Sequence, residues 1–208
     1  MNRDRIAVAL IGLMAIGAIS DKVFGNITVT TITVDEYTRH RSIPIGSAII
    51  GGGAPGATTV GTYNGLSLDD NTEILFFNFH VPMAWTGTSD MALVWHWVNQ
   101  AGTLIPENDA VKFNCDYRSR ADGEVLDSGN ATSTTITFTQ TGGAGTDKEN
   151  HETAMPIDFD QVDNPISVGD IIGFSCLRDK DAGADTYAGD ATVYHWGMTY
   201  QSTGIGSD

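Results

Sequence analysis

Two residue classes are scarce in this chain of 208 residues, and each scarcity removes a class of function. There are only two cysteines, Cys115 and Cys176. That is too few for a disulfide scaffold, and their spacing matches neither a zinc knuckle nor a redox motif. Basic residues are also few: 11 Lys and Arg stand against 26 Asp and Glu, a formal net charge of -15. So anionic a surface repels phosphate backbones and acidic lipid headgroups, which excludes nucleic acid as a partner and argues against a membrane one.

Catalytic signatures are missing too. No Gly-Lys-Ser/Thr ending follows the glycine-rich stretch Gly51 to Gly56, no Gly-x-Ser-x-Gly elbow occurs, and no Ser-His-Asp arrangement can be drawn. His80, His96 and His195 fall inside predicted strands beside tryptophans. A cupin-type metal site needs two histidines one residue apart, so that one strand face aims both at the ion, and no such pair exists here. The chain is read as non-enzymatic, with no catalytic residue and no required cofactor.

What is present points to strands. Thr, Val and Ile abound, and such β-branched side chains are stiff in a helix but fit a pleated surface. Strands are expected at Ile27 to Val34, Glu73 to Val81, Met91 to Val98, Val111 to Tyr117, Ser133 to Gln140, Thr153 to Phe159, Asp170 to Leu177 and Ala191 to Tyr200. Turn clusters such as Gly87-Thr88-Ser89-Asp90 and Asp163-Asn164-Pro165 separate them. About eight strands without intervening helices predict an all-β fold, an antiparallel jelly-roll-type sandwich. The expected division is residues 1–24 as an apolar N-terminal helix, 25–65 as a strand and Gly-rich arm, and 66–208 as the jelly-roll body. Gly51 to Gly56 reads as a flexible connector within that arm.

The uninterrupted apolar run Ile6 to Ile19 follows a basic start. It is short of the roughly 20 residues a spanning helix needs. Three placements remain: a retained helix packed between subunits, which is the favoured one, a secretory leader, or insertion into a membrane. In the favoured placement Ile6, Leu10, Leu13 and Ile16 form an assembly interface.

Alternation puts Val111, Phe113, Cys115 and Tyr117 on one strand face, and Ile172, Phe174 and Cys176 on another. Two small buried thiols are expected there, with a single disulfide as the alternative. The loop Asp179 to Asp190 carries carboxylates around a glycine, and Asp179, Asp181, Asp185 and Asp190 are candidate calcium ligands because a hard cation wants several oxygens from a tightly turning chain. A solvated hairpin loop is the plainer reading, since the EF-hand pattern is incomplete. Trp85 and Tyr187 are candidates for stacking on a sugar, as is Tyr63.

Four stretches resemble a kind of virion structural protein found in tailed and environmental bacteriophages. They are Phe77-Asn78-Phe79-His80-Val81-Pro82 with Trp85 and Ser89-Asp90; Val94-Trp95-His96-Trp97; Val168-Gly169-Asp170; and Arg178-Asp179 with Asp185-Thr186-Tyr187-Ala188-Gly189-Asp190. The resemblance runs from about Leu66 to Tyr200. It implies a jelly-roll module on the virion as a capsid, capsid-decorating or fibre-head protein. The implied partners are other copies of itself, as a homo-oligomer and favourably a trimer, and other virion proteins. Two rivals stand beside it: a secreted or surface-displayed carbohydrate-binding module, which would be extracellular, and a metal-dependent jelly-roll enzyme, which requires histidines that converge.

Overall fold

A computed structural model of the chain describes residues 37–202 apart from 54, 101 and 182. The expected helix with Ile6, Leu10, Leu13 and Ile16, and the strand at Ile27 to Val34, lie outside these residues. Within them run β1 (Tyr37–Pro44), a 3-10 turn (Ile45–Ser47), β2 (Ile49–Ile50), β3 (Gly56–Val60), β4 (Tyr63–Leu68) and β5 (Leu75–His80). Then follow β6 (Met91–Asn99), β7 (Ala110–Arg120), β8 (Thr132–Thr139), β9 (Asn150–Ile157), β10 (Ile171–Arg178) and β11 (Ala191–Ser202).

The strands form two antiparallel sheets. The first has the order β3-β4-β11-β6-β9, with β1 also on β11, and the second the order β2-β5-β10-β7-β8. Strand β4 takes the first residues of β11, from Ala191 to Val193, and β1 takes the remainder. The pairing has a simple rule: β4 with β11, β5 with β10, β6 with β9 and β7 with β8. Such nesting is one long hairpin wrapped so that successive pairs alternate between the sheets, which is the jelly roll.

Period-2 alternation produces the core. In β5, Leu75, Phe77 and Phe79 point inward and Phe76, Asn78 and His80 outward. In β8, Ile136 and Phe138 turn towards the core while serine and threonines face water. The sheets meet through rings: Phe77 stacks on Trp196 at 4.4 Å and Trp95 stacks on Phe113 at 4.4 Å, while Trp95 and Trp196, neighbours within the first sheet, meet edge-on at 5.6 Å. Offset and edge-on contacts of this kind add roughly 0.5–1.5 kcal/mol per pair beyond burial of the area.

Three expectations are corrected. Cys115 and Cys176 are not separate thiols: β7 and β10 place them directly opposite each other on the inward face, where they form a disulfide. The Gly-rich arm is docked, since Gly51 donates its N–H to the Ile74 carbonyl and Ile74 donates to the Gly52 carbonyl. The sandwich also starts before residue 66, because β1, β3 and β4 pair into the first sheet.

The disulfide closes a sequence separation of 61 residues. Cross-links over such spans stabilise by roughly 2–4 kcal/mol, chiefly by restricting the unfolded chain. Replacing both cysteines by alanine is expected to lower unfolding free energy by about that amount in urea titration, and no change would show that the bond is absent.

Candidate functional site

The Asp-rich loop predicted to hold calcium is organised around a cation that the chain supplies itself. Arg178, the last residue of β10, is fully buried, and so is the side chain of Asp185. Arg178 Nε donates to Asp185 Oδ2 at 2.9 Å, and Nη2 donates to Oδ1 at 2.8 Å. The other guanidinium protons go to the carbonyls of Leu68, Tyr187 and Gly189. All five donors of the fork are thereby used, which is what a buried guanidinium requires.

The candidate carboxylates therefore part company. Asp185 also accepts the Lys112 amide at 2.9 Å, Asp179 pairs with Lys112 Nζ at 2.8 Å, Asp181 accepts from Asn71, and Asp190 accepts the Ser67 hydroxyl at 3.1 Å. The loop's acids are thus spent on separate partners. Among the described residues, the acidic oxygens that converge within 4.8 Å belong to Asp69, Asp70 and Glu73. Two of them cap their own turn: Glu73 accepts the Asp69 amide, and Asp70 accepts both the amide and hydroxyl of Thr72. Burial raises the Glu73 carboxyl above its ordinary value.

The stacking candidates are also enclosed. Trp85 is 3% exposed and donates its indole N–H to the Ser89 carbonyl. Tyr187 is 1% exposed, its hydroxyl donates to the Thr103 carbonyl, and its ring lies 5.4 Å from the Arg178 guanidinium. Neither offers a face to a ligand. Tyr63 does remain exposed, with its ring 5.4 Å from that of Tyr194.

Outer faces carry what the interior does not. On the second sheet Ile49, Phe76 and Ile171 are 70%, 41% and 45% exposed. Beside Phe76 and Ile171 runs a groove of about 500 Å³, lined also by Asn78, Asp116, Arg118 and Leu126. On the first sheet a different set gathers. His96 of β6 stands opposite His195 of β11, with ring centroids 5.2 Å apart. His40 of β1 lies 6.1 Å from His96 and 6.4 Å from His195.

Two local features make this convergence. A register shift between Val193 and His195 lets Tyr194 and His195 both leave the core, so that Trp196 stays inside while His195 faces out. Bulges re-aim side chains in this way. Gly197 then provides floor space: a Cβ there would come within 1.9 Å of His40 Nε2. The sequence alone hides the cluster, because the three histidines are far apart in the chain and His40 lies on a strand that composition does not reveal. His80, by contrast, sits on the second sheet, and His151 is buried against Trp97 and Phe138 at 4.4 Å and 4.5 Å.

Desolvation lowers the pKa of His96, and outweighs the attraction of Glu152, whose carboxylate is 3.9 Å away and largely exposed. Burial lowers His195 as well, and its two histidine neighbours add to the effect. His151 is lowered by burial. His96 Nε2 is buried and makes no hydrogen bond among the described residues, whereas His195 Nε2 lies 3.2 Å from the Ser42 hydroxyl.

No protein-family model and no curated protein matches the chain. Similar solved structures include a family two carbohydrate esterase from Cellvibrio japonicus, at 10% identity and a TM-score of 0.33. The match covers 81% of this chain and 35% of the esterase. Dimeric latent PorU from Porphyromonas gingivalis matches at 9% identity and 0.36, over 86% of this chain and 14% of its own. An aminopeptidase from the marine sediment archaeon Thaumarchaeota archaeon matches at 10% and 0.32, over 88% and 36%. The chain thus spans about a third or less of each, and likenesses at this level carry no functional argument.

Two outcomes follow. Arg178→Ala strands a buried carboxylate, so it is expected to cost about 3–5 kcal/mol in chemical denaturation, and Arg178→Lys is expected not to restore the loss because a point charge cannot fill the fork. For the histidines, a folded pKa below the ordinary 6.5 means that the unfolded chain binds protons first. Their stabilising share is present above that value and declines as pH falls through it. Melting temperature should drop from about pH 7.5 to about pH 5.5, and less steeply in His151→Gln.

Proposed function

We propose that the protein is a non-enzymatic virion structural component that self-assembles through its jelly-roll domain, in a capsid, capsid-decorating or fibre-head role. The observation that carries this reading is the distribution of apolar surface. Trp95, Trp196, Phe77 and Phe113 fill the space between the sheets. Meanwhile Ile49, Phe76 and Ile171 stand in water on an outer face. Exposed apolar patches on an otherwise acidic body suit contact with further copies.

Two further features support it. Jelly rolls recur in viral capsids, although the same fold serves lectins. A buried disulfide suits an oxidising setting, of which a virion surface is one and the extracellular space another. The oligomer most in keeping with this reading is a trimer, assembled with copies of itself and with other virion proteins.

One observation favours a second reading, carbohydrate binding by a secreted or surface module. The groove beside Phe76 sets Asn78, Asp116 and Arg118 against an aromatic edge, a mixture that can hydrogen-bond hydroxyls and cover a sugar face.

Sedimentation velocity and native mass measurement on the full chain test the assembly reading. Discrete oligomers are expected, reduced by Ile49→Ser with Ile171→Ser and by removal of residues 1–24. A full chain that stays monomeric at high concentration but binds a glycan array would overturn it in favour of the second reading.

A further inference from the structure

We propose that His40, His96 and His195 form a binding site for a divalent transition-metal ion of the zinc class on the outer face of the first sheet. This inference does not depend on the assembly reading. It starts from geometry. With a zinc-to-nitrogen bond of about 2.0–2.1 Å and tetrahedral angles, ligating imidazoles have ring centroids about 5 Å apart. His96 and His195 already stand at 5.2 Å. His40, at 6.1 Å and 6.4 Å, is roughly an ångström too far, and the three rings as they stand do not bring ligand nitrogens within 4.8 Å of one another, so the site requires rotation of the exposed His40 side chain over Gly197.

The surroundings are those of a ligand shell. His96 has one ring nitrogen facing a carboxylate, with Nδ1 3.9 Å from Glu152 Oε2. The other, Nε2, is buried without a hydrogen-bond partner among the described residues. Metal-bound histidines characteristically direct one nitrogen to the ion and the other to an orienting carboxylate or carbonyl. Glu152 stands opposite His96 on β9, so it needs only a short approach to take that role. Three neutral imidazoles select zinc, copper(II) or nickel(II) over calcium and magnesium, which prefer oxygen. The fourth position is left for water or for a group from a bound partner.

The site also has a mechanical consequence. His40 belongs to β1, the first described strand, whose backbone pairing among the described residues is with β11. His195 and His96 belong to β11 and β6 at the centre of the sheet. A metal bridging all three would fasten β1 across two strands, and mass action would then stabilise the folded chain.

The test uses full-length protein made without a histidine tag and stripped with chelator. Zinc chloride is titrated by calorimetry, cobalt(II) chloride is followed by its visible absorption, and melting temperature is measured with and without zinc. One equivalent of metal per chain, a tetrahedral cobalt spectrum and a zinc-dependent rise in melting temperature are expected. His40→Ala, a change at an exposed position, should weaken binding by roughly a hundredfold and abolish the thermal shift while the metal-free melting temperature stays near that of the parent. Glu152→Gln should weaken binding by about tenfold or more, as loss of an orienting carboxylate does. His80→Ala should change nothing. Absence of binding in the parent, or binding that survives His40→Ala and His96→Ala together, would overturn the site. Binding lost instead in Glu73→Gln, with an octahedral cobalt spectrum, would also overturn it by assigning the ion to the acidic turn.

Discussion

A buried guanidinium organises one end of the sandwich, and much of the architecture depends on how its protons are shared. Arg178 ends β10, yet its donors reach Leu68 at the end of β4 and three positions of the loop that returns to β11. Asp185, its partner, accepts a further amide from β7. One side chain therefore ties both sheets to the loop that launches the last strand. A charge taken out of water is tolerated only when such a network is complete, because each missing hydrogen bond would leave desolvation uncompensated. Of the four candidate acids of this loop, Asp185 does hold a cation, one that is covalently part of the chain, while Asp179, Asp181 and Asp190 serve other partners.

Fixing the start of β11 has consequences along its length. The register shift after Val193 sends Trp196 inward to stack on Phe77 and His195 outward to face His96. Core packing and surface chemistry are thus set by the same irregularity. The interior is filled with rings, and the two outer faces differ. One carries exposed isoleucines and a phenylalanine with a polar groove; the other gathers histidines beside a glutamate. The all-β sandwich thereby presents two unlike surfaces from a single core.

Legibility in the sequence followed side-chain alternation. Strands β5 to β11 were readable because apolar residues recur at every second position, and the same rule put Cys115 and Cys176 on inward faces. Strands β1, β3 and β4 were not. Tyr37 to Pro44 is largely polar and charged, and its one buried residue is Ile43. In β4, Gly65 lies so close to its neighbour β11 that a Cβ there would meet the Val193 carbonyl at 2.8 Å. The docked glycines Gly51 and Gly52 were misread for a similar reason: absence of side chains can permit close backbone pairing as well as mobility. Trp85 and Tyr187 looked like loop aromatics, and both found a core position with a carbonyl for the polar end.

The amino-acid sequence by itself determined the fold class, the inward faces of the main strands and the acidic surface, because these follow from local periodicity and composition. Tertiary structure alone decided that the two sulfurs are opposite each other, that the aspartates of the 179–190 loop serve separate partners, and that His40, His96 and His195 share one face. Each of those outcomes depends on register between strands distant in the chain. A shift of one residue would turn the same side chains to the other face, and no local pattern records which register the packed core selects.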